Sequence, residues 1–217
     1  MMRYCVAIFL LLTSLPLSGK QLAIATKSPA ALLINADTGH VLYEKNAEKR
    51  YYPASTTKLS TALYALKKGS IALNTKITAQ QDAIGAVSKR KKIASKYTLP
   101  AYWLEFNGMH IGIKRGEVLP FKDLLYGMMV SSGNDAANVI AMAVSGTVPA
   151  FMKELNSYLY SIGCHNTNFN NPHGLHHPDH YTTAHDLALM AREAMKIPFF
   201  RSLVTTETDR KSTRLNS

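Results

Sequence analysis

The run Leu59-Ser60-Thr61-Ala62-Leu63-Tyr64-Ala65-Leu66 is the stretch that leaves this chain least conformational freedom. Its larger apolar residues fall so that positions 59, 62, 63 and 66 share one face of a helix, the i, i+3, i+4, i+7 spacing. Pro53 precedes the run and Gly69 stands where a C-terminal cap belongs. Ser55 is therefore expected at the mouth of a helix, near unpaired backbone N–H groups and the positive end of the dipole. Lys58, three residues on, shares a face with that hydroxyl. A serine beside an amine able to take its proton is one route to a nucleophile. The same residues also read as a capping serine and an exposed helical lysine, so S-x-x-K needs partners elsewhere in the chain before it carries chemistry.

With 217 residues, 47% hydrophobic and 18% charged, the chain can bury one sizeable core and is not of disordered type. The formal charge is +11. Setting aside Arg3, Lys20 and the three positive and one negative residues of 209–217 leaves +7, a basic surface suited to anionic polymers or membranes. No nucleic-acid motif accompanies it, so no nucleic-acid partner is expected. Residues 1–25 read as a secretory signal: Met1-Met2-Arg3 is a basic start, Val6–Leu12 an apolar run, and Ala23-Ile24-Ala25 a small-x-small cleavage site. An uncleaved anchor is the other reading, and both place the remainder outside a membrane, in the periplasm or cell envelope. Cys5 lies in this leader, which leaves Cys164 without an intramolecular partner and reading as a small buried hydrophobe.

Downstream, Ala30–Asn35 and His40–Lys45 flank the turn Asp37-Thr38-Gly39 and predict a β-hairpin. The cluster Lys89-Arg90-Lys91-Lys92 reads as a solvated loop, with attraction of an acidic polymer as the functional alternative. Tyr97, Tyr102, Trp103 and Phe106 follow, fit for a core edge or a cleft wall, and Gly108–Gly116 suggests a short ribbon. Helices are expected over Phe121–Val130, Asp135–Ala143, Val148–Tyr160 and Ala184–Met195, the last capped by Thr183 with Asp186 three residues later.

Ser132-Gly133-Asn134 lies between two of these helices, where short side chains can cap or project into a cleft. An S-x-x-K at a helix start followed 77 residues later by S-x-N is the paired signature of penicillin-recognising serine enzymes. With Y-P-A-S-T-T-K-L at 52–59, S-S-G-N-D-A-A-N at 131–138, N-P-H-G-L at 171–175 and Tyr181-Thr182-Thr183-Ala184, the chain resembles the D-alanyl-D-alanine carboxypeptidases, the low-molecular-mass penicillin-binding proteins of peptidase family S11. The likeness spans roughly residues 28–205, including the hairpin.

The resemblance implies an α/β (α+β) fold of the serine β-lactamase/DD-peptidase type, a helical cluster on an antiparallel sheet left incomplete in this chain. It implies Ser55 as acylated nucleophile, Lys58 as its base, Ser132 as proton bridge to the leaving group, and Asn134 and His173 as substrate-side residues. The Ser55 N–H would form half of an oxyanion hole. The substrate would be a peptidoglycan stem peptide ending in D-Ala-D-Ala, with β-lactams as covalent inhibitors and no cofactor. The many histidines (His165, His173, His176, His177, His180, His185) show no zinc-type spacing, so no metal is expected.

Two departures matter. A serine β-lactamase of class A needs a deacylating Glu in a loop well beyond S-D-N, whereas Glu154 and Asn156 stand 22 and 24 residues after Ser132 in a helical stretch. The family's K-T-G strand has no counterpart, since Lys211-Ser212-Thr213 lacks the glycine. The expected division is a signal at 1–25, a partial catalytic domain at 26–208 and a non-family, artefactual tail at 209–217. A membrane anchor is expected only beyond the end of this chain, and the hairpin is expected to keep an open sheet edge. A non-catalytic envelope protein that binds peptidoglycan or penicillin is the alternative reading.

Overall fold

The structure is a computed structural model and describes residues 24–206. The tail at 209–217 and the expected leader, apart from Ile24 and Ala25, lie outside the described residues.

The chain opens with β1 (Ala31–Ile34) and β2 (Val41–Lys45), an antiparallel pair with Ala31 opposite Lys45 and Leu33 opposite Tyr43. The Asn35 side chain makes the turn, its Oδ1 accepting from the N–H groups of Asp37 (3.0 Å) and Thr38 (2.9 Å). A 3₁₀ turn over Ala54–Thr56 leads into α1 (Thr57–Lys68), which ends on Gly69 at φ +61°. That left-handed residue is the expected stop signal. Then come β3 (Lys76–Thr78), a second 3₁₀ turn (Gln81–Ile84), β4 (Ala86–Val87), α2 (Lys89–Ala94), β5 (Leu104–Glu105) and β6 (Val118–Pro120). The second half is helical: α3 (Phe121–Met129), α4 (Asn134–Ser145), α5 (Val148–Ser161), α6 (Ala184–Met195) and α7 (Pro198–Val204). β3 pairs antiparallel with β6, and β4 pairs parallel with β5. Among the described residues β1 has β2 as its sole strand partner, and Leu33 is 41% exposed beside that open edge.

The core is built around α4. Ala136, Ala137, Ile140 and Ala141 are fully buried, and the small side chains let α1, α3 and α5 approach closely. Leu63 comes from α1, Leu124, Leu125 and Met128 from α3, and Phe151, Leu155 and Leu159 from α5, all within 1% of complete burial. Each such side chain contributes about 1.5–3 kcal/mol through removal of apolar surface from water. This cluster packs α1 against α4, and the motif residues sit at the adjoining ends of those two helices.

Two expectations are corrected. Lys89–Lys92 is not a loop but the first turns of α2, capped by Ser88, whose Oγ accepts from Lys91 N–H (3.2 Å). Lys92 is turned inward, 3% exposed, with its ammonium donating to the Trp103 carbonyl. Residues 108–116 form no ribbon, because the amides at their centre, 111–113, are claimed by a carboxylate instead of a strand. Asp135 accepts from the N–H groups of Ile111 (3.1 Å), Gly112 (2.9 Å) and Ile113 (3.0 Å). Other details agree with the sequence: Thr183 Oγ1 accepts from Asp186 N–H (3.0 Å) at the start of α6. Cys164 is buried, and burial pushes its thiol up to about 12.

Candidate active site

Four segments converge where α1 meets α4. The 3₁₀ turn carries Ser55, exposed to solvent, and the first turn of α1 carries Lys58, 3% exposed. The Lys58 amine therefore sits beneath the serine hydroxyl and not beside it in water. Its Nζ donates to three acceptors: Asn134 Oδ1 (2.7 Å), the His173 carbonyl (2.7 Å) and Ser55 Oγ (3.3 Å). An ammonium has three protons to give, so the charged form is fully satisfied. Burial nonetheless pulls Lys58 down from 10.5 to about 8, partly opposed by the negative charge of Asp135. A neutral amine here keeps two donors for Asn134 and His173 and offers a lone pair toward the Ser55 proton.

Ser132 reaches the same hydroxyl from the opposite wall, its Oγ donating to Ser55 Oγ at 3.1 Å. Its backbone stands at φ +56°, a left-handed conformation that a non-glycine residue adopts at a cost of about 1–3 kcal/mol. That conformation turns the chain sharply between α3 and α4. Gly133 beside it is packed against Ile111, Asp135 and the Gly127 carbonyl, where an added Cβ would meet atoms at 3.0–3.1 Å. Asn134, 4% exposed, begins α4 and is anchored through its N–H to the Met109 carbonyl (2.8 Å).

His173 enters differently from a ligand-facing side chain. The residue is 1% exposed, with ring Nε2 bonded to the Tyr102 carbonyl (3.0 Å) and Nδ1 accepting from Leu175 N–H (3.1 Å). Since Nδ1 accepts, Nε2 carries the proton, and burial holds the ring neutral by lowering its pKa well below 6.5. The backbone carbonyl of His173, not its imidazole, touches Lys58.

Sequence reasoning passed over several residues that build this site. Asp135 folds the 111–113 loop against the cleft, and its position directly after S-S-G-N is the signal that could have marked it. Asn171 Oδ1 accepts from the N–H groups of His173 (3.3 Å) and Gly174 (2.7 Å), closing the N-P-H-G turn. Gly174, at φ +93°, lies so near the 3₁₀ turn that a Cβ would stand 1.8 Å from the Ala54 carbonyl oxygen. Glu154 is occupied elsewhere, accepting from Lys68 (2.7 Å), Ser145 (2.6 Å) and Tyr64 (3.0 Å). Asn156 holds the backbone of Phe169 on both sides. Among the described residues no group of three or more His, Cys, Asp or Glu is placed to hold a metal ion.

The fold that presents these groups is that of the penicillin-binding DD-peptidases, serine β-lactamase-like in type. The D-alanyl-D-alanine carboxypeptidase DacD from Francisella tularensis superposes with a TM-score of 0.67 at 32% identity, over 81% of this chain and 38% of that one. Penicillin binding protein 5 from Haemophilus influenzae gives 0.70 at 28% identity, over 84% and 49%. The family profile described as D-alanyl-D-alanine carboxypeptidase, Peptidase_S11, matches residues 18–217, and the chain belongs to that family. Among curated relatives, DacF of Bacillus subtilis is 35% identical over 176 residues, 80% of this chain and 40% of that protein. DacA of Haemophilus influenzae is 33% identical over 168 residues, 76% and 38% respectively. The chain thus spans about 40% of the length of the curated relatives it matches.

Proposed function

We propose that residues 26–208 carry the acylation half-site of a serine-type D-Ala-D-Ala carboxypeptidase that trims peptidoglycan stem peptides in the cell envelope. The observation that supports this best is the Ser55 hydroxyl lying within hydrogen-bond reach of both Lys58 Nζ (3.3 Å) and Ser132 Oγ (3.1 Å). A nucleophile needs one group to accept its proton and a route by which that proton reaches the leaving group.

In this reading neutral Lys58 takes the Ser55 proton as Oγ attacks the carbonyl of the penultimate D-Ala. The C–N bond to the terminal D-Ala breaks, and the departing amine receives a proton relayed from Lys58 through Ser132. Water then attacks the Ser55 ester, giving its proton back by the same route and releasing the shortened stem. Asn134 steadies Lys58 and offers its amide N–H groups toward the cleft and substrate backbone. His173 positions Lys58 through its carbonyl. A β-lactam presents a comparable acyl group and would acylate the same oxygen. Secretion across the cytoplasmic membrane, directed by residues 1–25, belongs to this proposal. Among the described residues no single helix is long and apolar enough to cross a membrane.

The test is a fluorescent penicillin followed by a D-Ala release assay on a stem pentapeptide. Covalent label that disappears in Ser55→Ala, together with released D-Ala, supports the reading. Label without D-Ala release reduces it to acylation alone, and no label on the native chain overturns it.

A further inference from the structure

We infer that His180 and Thr57 form a hydrogen-bond relay that positions the Ser55 nucleophile by holding the carbonyl of Ala54. This rests on the carboxypeptidase reading of Ser55 and adds two positioning residues to it.

The direction of the relay follows from its ends. Asn170 N–H donates to His180 Nδ1 (3.0 Å), so Nδ1 is unprotonated and the neutral ring carries its proton on Nε2. Nε2 lies 2.8 Å from Thr57 Oγ1, and Thr57 Oγ1 in turn donates to the Ala54 carbonyl at 2.9 Å. Each hydroxyl and ring nitrogen then has one role, with no choice of rotor left open. Ala54 needs such support, because it is a non-glycine residue at φ +50° immediately before Ser55. Left alone, that peptide would relax toward negative φ and swing the serine hydroxyl away from Lys58. The Ala54 carbonyl also accepts from the Thr57 N–H, and Gly174, the residue next to the His173 carbonyl that receives Lys58, packs closely against it.

His180 is 1% exposed, stacks on Phe169 at 4.9 Å, and is bonded at both nitrogens, so it has no other polar task. The titratable groups facing it are His176 and His177 of its own loop and the buried, neutral His173, while α1 presents the uncharged Thr57. Burial, reinforced by those histidines, holds its pKa at about 3, so the relay persists across neutral and mildly acid pH.

The experiment compares acylation by a fluorescent penicillin in the full chain and in Thr57→Val, Thr57→Ser, His180→Phe and His180→Gln. The Val and Phe variants keep shape but break the relay. They are expected to slow acylation roughly 10- to 100-fold while the pre-covalent affinity stays the same. The Ser and Gln variants keep a hydroxyl or an N–H donor in place and are expected to recover most of the rate. Wild-type rates in Thr57→Val and His180→Phe would overturn the relay. So would equal losses in all four variants that track a fall in thermal midpoint, since that marks a merely structural role. If the native chain takes no label, the carboxypeptidase reading fails separately, and the Ala54 and Ser55 amide chemical shifts decide the relay: shifts unmoved by Thr57→Val sink it.

Discussion

The Lys58 ammonium is held 2.7 Å from the backbone carbonyl of His173, a residue 115 positions further along the chain. A carbonyl accepts but never exchanges a proton, so this contact fixes the amine without competing for its chemistry. Together with Asn134 it leaves Ser55 as the one partner of Lys58 with a proton to lose.

Acylation is therefore expected to follow the neutral fraction of Lys58. With its pKa at about 8, the acylation rate rises about tenfold per pH unit below that value and levels off above it. Stopped-flow acylation between pH 5 and 10 measures this, and a flat profile contradicts it.

Stability carries the opposite face of the same burial. The folded pKa of Lys58 is depressed below its unfolded value of 10.5, so between about 8 and 10.5 the unfolded chain binds more protons. The Lys58 contribution to stability rises with pH through that window, and below it the buried charge costs roughly 3 kcal/mol. Urea midpoints of wild type and Lys58→Met are expected to converge as pH rises from 8 to 10.5.

Asp135→Ala removes the acceptor of Ile111, Gly112 and Ile113 N–H and of Ala136 N–H (2.9 Å). The orphaned buried amides of Ile113 and Ala136 and the lost charge-assisted set predict about 3 kcal/mol of destabilisation. Hydrogen exchange is expected to speed up first at residues 111–113. Equal protection in the variant would remove Asp135 from the cleft wall.

Gly174→Ala places a methyl group against the Ala54 carbonyl at a positive φ, and neither backbone can yield cheaply. Acylation is expected to fall by roughly 100-fold, because the turn carrying Ser55 must move. Labelling at the native rate would show that the turn is not clamped there.

Glu154→Gln separates this site from a lactamase-like one. Lys68 and Glu154 are 30% and 40% exposed, so their ion pair is worth about 1 kcal/mol or less. The lifetime of the penicilloyl adduct is expected to stay unchanged, whereas a lengthened lifetime would assign Glu154 to deacylation.

Local information determined a good part of this protein. The spacing at 59, 62, 63 and 66 specified α1, Gly69 ended it, Thr183 started α6, and two short motifs marked Ser55, Lys58, Ser132 and Asn134. These are signals of helical period, capping and side-chain type, readable within a few residues. What tertiary structure decided are the contacts that span the chain. It turned Lys92 inward and made a helix where charge suggested a solvated loop. It folded 111–113 onto a carboxylate 22–24 residues away. It buried the His173 imidazole and used the carbonyl in its place, and it pressed Gly174 against Ala54 and His180 against Thr57. Burial, amide satisfaction and left-handed backbone at Ala54 and Ser132 depend on what packs alongside, and no window of sequence contains that neighbour.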